Sequence, residues 1–437
     1  MADHQFAFET LALHAGQVPD AATGARAVPL YQTTSFVFDS AEHAASLFNL
    51  QTFGNVYTRL SNPTTAVFEE RMAALEGGRA GLAAASGLAA QMTAILAIMK
   101  QGDHLVSAST LYGGTVGQFA VGFERMGITT TFVDPEDPEN FRRAIRPNTK
   151  AVYAETLGNP LINVLDIAAV AKVAHDHGLP LIVDNTMASP YLCRPFEHGA
   201  DVVVHSATKY IGGHGTSMGG VIVESGKFDW GNGNFPEMTE PSRGYHGVRF
   251  YETFGDFGYT MKARMEVLRT FGPAISPFNA WMLLQGLETL HVRMDRHVDN
   301  ARRVAAFLQD HAHVAWVSYP GLPASKYHAL ARRYLPKGPS AIIAFGVRGG
   351  LAAGEKFIEA AQMMSHLANI GDAKTLIIHP ASTTHRQLSE EELVKAGVTP
   401  DMIRLSVGIE SIDDILWDLD QALGASQSPV AAKPAPA

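Results

Sequence analysis

The chain has 437 residues, 46% of them hydrophobic and 18% charged, a composition suited to globular domains with sizeable cores. At roughly 100–200 residues per domain, two domains and a tail are expected. The 34 Lys and Arg stand against 43 Asp and Glu, a net charge of −9, which argues against nucleic acid as the main partner because backbone binding needs cationic side chains.

The start, MADHQFAFETLALHAG, has no basic region and no long apolar core, so it does not read as a signal peptide. Residues 1–60 are rich in Thr, Tyr and Gly without a clear period. They read as an irregular arm that needs something to lie on, such as a neighbouring subunit. From about Ser61 the texture changes to alternating strands and helices. The uncharged run at 80–99 could pass for a membrane span. However, Ser86-Gly87 breaks it, Gln91 and Thr93 interrupt it, and alanine offers little apolar area; a strand, a turn and a buried helix fit better. No partner membrane is expected.

KAVYAE (150–155) reads as a buried strand and DIAAVAKVAHDHG (166–178) as a helix, with Asp166 at the N-cap and Gly178 past the C-terminus. PLIVD (180–184), ADVVVH (200–205) and GGVIVE (219–224) read as further strands. Short apolar strands alternating with helices predict an α/β domain with a large, mostly parallel sheet flanked by helices. Cys193 is the only cysteine, so no intrachain disulfide can form; a small buried hydrophobe in a reducing, cytoplasmic setting is expected.

Residues 277–311 read as a long helix linking domains, with room for an interruption. A strand at 340–347, a helix around 352–364 and a strand at 402–410 predict a smaller C-terminal α+β domain. The Pro/Ala-rich end is expected to be disordered. The division is an arm at 1–60, a ligand-binding α/β domain at 61–270, a C-terminal domain at 271–424 and a tail at 425–437.

Chemistry concentrates at strand ends. Asp184 closes LIVD, and in open α/β sheets the ligand crevice lies outside such ends. The next apolar strand runs into SATKYIGGHG, placing a single lysine, Lys209, before a burst of glycine. SATK fits the S-x-x-K pattern of acylated serines, and GTSMG (215–219) fits the nucleophile elbow. The elbow fails because GTSMG leads into a strand, and no K-T-G or S-D-N accompanies SATK.

A lysine amine in a desolvated site can instead form an imine with an aldehyde cofactor. Pyridoxal 5′-phosphate needs such a lysine, a carboxylate for its ring nitrogen, an anion cradle and a flat partner. Asp184 supplies the carboxylate, and the Ser206 and Thr208 hydroxyls can donate to phosphate. The Ser-Gly turn of AAASGLAAQ (83–91) opens a helix whose N-terminus favours an anion. Tyr112 in LYGG offers the ring. Singly, Asp184 could cap a turn, Ser86-Gly87 could be an ordinary turn and Tyr112 could be core. Together, in this order, they point to a pyridoxal site with no metal.

From about Phe8 to Leu423 the chain resembles the Cys/Met-metabolism pyridoxal-phosphate enzymes, the cystathionine gamma-synthase-like group of fold type I. The runs LALHAGQVPDAATGARAVPLYQTTSFVFDSAEHAASLF, FGNVYTRLSNPT, SATKYIGGHGTSMGGVIVESGKFDW and IIHPASTTHRQL carry that resemblance. It implies that Lys209 binds the aldehyde and Asp184 pairs the pyridine nitrogen. Tyr112 stacks and assists proton or leaving-group chemistry. The Gly87 and Leu88 N–H groups, with Ser206 and Thr208, cradle the phosphate. Tyr57 and Arg59 reach the phosphate of a neighbouring subunit, as expected of a guanidinium fork. Asn159 touches the cofactor's phenolic oxygen, Arg404 clamps the amino-acid carboxylate, and Asn369 lies near that carboxylate.

Within the family, gamma-lyases usually carry cysteine two residues after the stacking tyrosine, where this chain has Gly114. GGHGTS replaces the NGH typical of members that use cystathionine. The likeness is to members that exchange the acetyl group of O-acetylhomoserine for sulfide in methionine biosynthesis. A methionine gamma-lyase or an O-succinylhomoserine-using relative is the alternative. A homotetramer built from dimers with shared sites is implied.

Overall fold

The apolar runs become strands where both faces can be covered. The structure is a computed structural model and describes residues 4–383 and 397–427. It divides into two units, Met1–Gly158 with Val164–Val292, and Asn159–Asn163 with Arg293–Ala437.

The first unit holds seven strands: β1 (Ala80–Ala84), β2 (His104–Ala108), β3 (Thr129–Val133), β4 (Thr149–Glu155), β5 (Leu181–Asp184), β6 (Val202–Ser206) and β7 (Gly220–Glu224). Their spatial order is β1-β7-β6-β5-β4-β2-β3. β7 is antiparallel to both β1 and β6, and every other pair between β6 and β3 is parallel. Six strands therefore point one way, and their C-terminal ends share one edge. Leu181, Ile182 and Val183 of β5, and Val202 and Val203 of β6, are fully buried, as strands covered on both faces must be.

The expected helix at 166–178 forms as Ile167–His175. Asp166 accepts the Ala169 N–H at 3.2 Å, and Gly178 follows with φ 66°. The 80–99 run forms β1, a Ser86 N-cap and the helix Gly87–Leu96. Among the described residues no helix is long and apolar enough to cross a membrane. Cys193 is buried, and burial raises its thiol well above the usual range.

The first 60 residues are less irregular than their composition suggests. Phe8–His14 and Ala41–Phe48 are helices, the second capped by Ser40. Each buries only one or two side chains, so no apolar period shows. Arg71, on the helix Pro63–Glu76, ties the arm down: its Nε donates to the Ala15 carbonyl at 3.0 Å and its Nη2 to Gln17 at 3.1 Å. Beyond that anchor, Val37, Phe38, Phe48 and Phe53 stay exposed.

Glu224 ends β7 in the interior. It accepts the Thr260 N–H, and its Oε1 has no hydrogen-bond partner among the described residues. Burial pushes its carboxyl up to about 8 from 4.5. The folded chain therefore keeps a proton there that the unfolded chain releases. Stability is fully present below about 4.5 and is lost as pH rises through about 8. Glu224→Gln is expected to flatten that decline, by up to roughly 4 kcal/mol across the window. Urea unfolding at both ends of the window checks it.

The second unit contains β8 (Val314–Ser318), β9 (Ile342–Val347), β10 (Ser365–His366), β11 (Leu376–Ile378) and β12 (Met402–Ser406), in the order β10-β11-β12-β9-β8. Only β10 and β11 are parallel. The helices Gly350–Ala360 and Ile412–Ser426 pack on each other. Asp418 joins them to the chain before β10 by accepting the N–H groups of Gln362, Met363 and Met364, each at 2.9 Å.

Several boundaries differ from the sequence reading. Residues 277–311 form two helices, Pro277–Glu288 and Leu290–Asp310, parted at Thr289. The first packs on Pro63–Glu76, so the first unit extends to Val292 where 270 was expected. The helix expected at 352–364 is Gly350–Ala360, and the last strand stops at Ser406. Residues 425 and 426 are still helical; the tail from 428 lies outside the described residues, as does the end of IIHPASTTHRQL from 384.

Candidate active site

Strand polarity gathers the candidates of the first unit. The C-terminal end of β1 leads to Ser86, that of β2 to Tyr112, that of β4 to Glu155, that of β5 to Asp184 and that of β6 to Ser206 and Lys209. All five ends share the edge where α/β sheets bind ligands.

The cradle begins at Ser86. Its side chain accepts the Ala89 N–H at 3.2 Å and its carbonyl accepts that of Ala90 at 2.9 Å. The N–H groups of Gly87 and Leu88 remain at the helix mouth, where the macrodipole favours an anion by about 0.3–1 kcal/mol. Gly87 is required by proximity: a Cβ would lie 2.6 Å from the Ser206 Cβ. Gly220 is equally constrained, because its Cβ would meet the Ser86 carbonyl oxygen at 2.1 Å. The helix mouth is thus pressed against the ends of β6 and β7, beside the Ser206 hydroxyl.

Thr208 is half-buried on the turn after β6 and meets the returning strand. Its hydroxyl donates to the Gly219 carbonyl at 3.2 Å and accepts the Gly219 N–H at 3.1 Å. Ser206 lies two residues before Thr208, its hydroxyl beside the helix mouth. Lys209 follows on a turn whose N–H bonds the Ser206 carbonyl at 3.2 Å, and its side chain is half-buried.

Asp184 is half-buried and receives the Thr186 N–H on Oδ1 at 2.9 Å. Burial raises its carboxyl above the usual range, while hydrogen bonds from Thr186 and Tyr153 and the nearby His205 oppose that rise. His205 itself is fully buried against Glu76. Glu155, registered with Asp184 across β4 and β5, is raised well above the ordinary range by burial and by the Asp184 charge. Tyr153 donates to Gln91 Oε1 at 3.0 Å and to Asp184 Oδ2 at 3.5 Å. Gln91 in turn donates to Gln118 at 2.7 Å, and Gln118 to the Leu88 carbonyl at 3.1 Å. A polar chain therefore runs from the carboxylate to the helix that forms the cradle.

Tyr112 is 53% exposed, and its backbone N–H donates to Glu155 Oε1 at 2.7 Å. Its ring crosses Gly114, where a Cβ would lie 2.4 Å from Cε1. Tyr57 and Arg59 are exposed on the arm; Arg59 lies over the Tyr57 ring and donates to the Arg269 carbonyl at 3.0 Å. The remaining candidates belong to the second unit. Arg404, in β12, donates from Nη1 to Asn159 Oδ1 at 3.3 Å. Asn369 is half-buried between β10 and β11.

The fit to pyridoxal phosphate rests on this donor set. A helix mouth and a hydroxyl meet where Gly87 admits no side chain, a carboxylate stands on the same sheet edge, and a lysine follows the hydroxyl by three residues. Among the described residues no group of His, Cys, Asp and Glu is arranged to hold a metal. Sequence reasoning passed over Glu155, Tyr153, Thr186 and Gln91. A carboxylate closing KAVYAE as Asp184 closes LIVD was the available signal.

Fold and site together define a fold type I pyridoxal-phosphate enzyme. The chain belongs to the Cys/Met metabolism PLP-dependent enzyme family, whose model matches residues 9–424. It is 57% identical to the O-acetyl-L-homoserine sulfhydrylase of Leptospira meyeri, over 95% of this chain and 96% of the relative. It is 54% identical to the homocysteine synthase of Schizosaccharomyces pombe, over 95% and 98%. A solved structure of a putative O-acetylhomoserine (thiol)-lyase from Campylobacter jejuni, containing N′-pyridoxyl-lysine-5′-monophosphate, superposes with a TM-score of 0.93. That chain is 40% identical, with 96% of this chain and 100% of it covered.

Proposed function

We propose that this chain replaces the acetyl group of O-acetyl-L-homoserine with sulfide, giving L-homocysteine and acetate. The observation that carries the reading is the junction of the Gly87 helix mouth, Ser206, Lys209 and Asp184 on one sheet edge, in a chain whose near full-length relatives bear sulfhydrylase and homocysteine synthase names.

When bound, pyridoxal phosphate supplies a protonated ring that takes up the electron pair left by a departing α-proton. The chain's residues do the rest. The Lys209 amine would hold the aldehyde, and it stands where it would take the substrate's α-proton and move protons at the β-carbon. Asp184 keeps the ring nitrogen protonated. Gly87, Leu88, Ser206 and Thr208 would hold the phosphate, and the contacts of Thr208 with Gly219 brace the loop that carries the lysine. Arg404 grips the α-carboxylate, its guanidinium steadied by Asn159 Oδ1. That bond leaves the Asn159 NH2 to donate to the phenolic oxygen; Asn369 supports the carboxylate.

Turnover with O-acetylhomoserine and sulfide, compared with O-succinylhomoserine and sulfide and with methionine alone, tests the reading. Homocysteine from the acetyl donor is expected to dominate. Preference for the succinyl donor, or 2-oxobutyrate from methionine, would replace it with one of the alternatives.

A cytoplasmic homotetramer of dimers with shared sites completes the proposal. The exposed aromatic residues of the arm and the outward Arg59 support a partner there. If Tyr57 and Arg59 serve a neighbour, co-expressed Lys209→Ala and Arg59→Ala chains regain activity that neither has alone. Random pairing in a two-fold dimer gives about a quarter of the wild-type rate. Mixtures as inactive as their components would place Arg59 in its own chain's site.

A further inference from the structure

Glu155 stands between two residues assigned above. Its Oε1 accepts the Tyr112 N–H at 2.7 Å, and it is registered with Asp184 across a parallel strand pair. Registered neighbours in such a pair project to the same face of the sheet. Glu155 is 8% exposed, so its carboxyl is committed to this interior contact.

The Tyr112 backbone is held from both sides. Its N–H goes to Glu155, and its carbonyl accepts the N–H groups of Thr115 and Val116 at 2.8 and 3.1 Å. Gly114 then leaves room for the ring to cross the first helical turn. With half its surface exposed, the ring has little else to fix it. A shift of its backbone would carry the stacking face off its target, and misplacements of about 1 Å can cost ~100-fold in rate.

We propose that Glu155 is a positioning residue for the γ-replacement reaction: it fixes the Tyr112 backbone so that the stacking ring and the Asp184 carboxylate are registered on one pair of strands. The inference rests on the roles given to Tyr112 and Asp184 under Proposed function. Burial and the Asp184 charge push the Glu155 carboxyl well above the ordinary range, and its Oε1 accepts the N–H in either protonation state. An amide oxygen can do the same.

The test uses the holoenzyme with Glu155→Gln, Glu155→Ala, Gly114→Ala and Tyr112→Ala. Visible circular dichroism of the bound cofactor, its dissociation constant, and kcat and KM are measured beside far-UV spectra and thermal unfolding. Glu155→Gln is expected within about threefold of wild type in kcat, with its visible dichroism kept. Glu155→Ala is expected to lose about half or more of that dichroism and ~10–100-fold in kcat, with a smaller change in KM. Gly114→Ala displaces the ring directly and is expected to reproduce the same spectrum. If Glu155→Ala does not fold, Glu155→Gln and Gly114→Ala carry the test. Wild-type dichroism and kcat in Glu155→Ala, or a folded Glu155→Gln as impaired as Tyr112→Ala, would overturn the inference while leaving Tyr112 in its role. An unchanged Tyr112→Ala would overturn both.

Discussion

Lys209→Ala is expected to abolish turnover and the visible absorbance of the lysine-bound cofactor together. The amine has two duties, covalent anchor and proton carrier, and alanine offers neither. A positioned general base alone contributes about 10²–10⁴-fold, so a loss of ~10⁴-fold or more is expected in kcat. Borohydride reduction followed by peptide mass spectrometry checks the assignment directly. The wild-type chain should carry the reduced cofactor on Lys209, and the variant nowhere. The cradle of Gly87, Leu88 and Ser206 is untouched, so residual phosphate-dependent binding should persist. Turnover that survives, or a label on another lysine, would remove the basis of the proposed chemistry.

Asp184→Asn should give the second largest loss. Asparagine keeps the size and an acceptor for the Thr186 N–H, but it has no charge to hold a protonated ring nitrogen. Removal of such preorganised electrostatic stabilisation costs about 10²–10³-fold in kcat. Cofactor absorbance should remain, because Lys209 is intact, while KM changes less. The pH dependence has a defined sign. Burial raises the Asp184 carboxyl, so it protonates earlier on acidification than an ordinary aspartate. Cofactor affinity should fall with falling pH from that raised range, and the asparagine variant should lack this dependence. A variant within about tenfold of wild type would show that another group serves the ring nitrogen.

Much of this arrangement could be read from one dimension. LIVD and ADVVVH are apolar without alternation because their strands are covered on both faces, and their ends mark the crevice. Ser86-Gly87 was legible as a strand-to-helix turn because glycine there is forced by the Ser206 contact. The reversal of β7 was not legible, since GGVIVE reads the same in either direction. The arm's helices were missed because each buries too little to impose a period. The Pro277–Glu288 helix was assigned beyond the first unit because packing, not propensity, decides its company. Glu155 escaped notice for a related reason: its value lies in a registered neighbour 29 residues away, which no local pattern reports. The contact of the Thr208 hydroxyl with Gly219 was not legible either, because it depends on the reversed strand.

That returning strand also bears on the economy of the lysine's movement. The Thr208–Gly219 contacts close the base of a ten-residue loop, 209–218, whose two stems are neighbouring strands, with Lys209 just inside the closure. With the loop pinned at its base, an amine released from its partner stays tethered beside the site. It stays at an effective molarity that a free amine could not reach, so the return step after each cycle is intramolecular and costs little search.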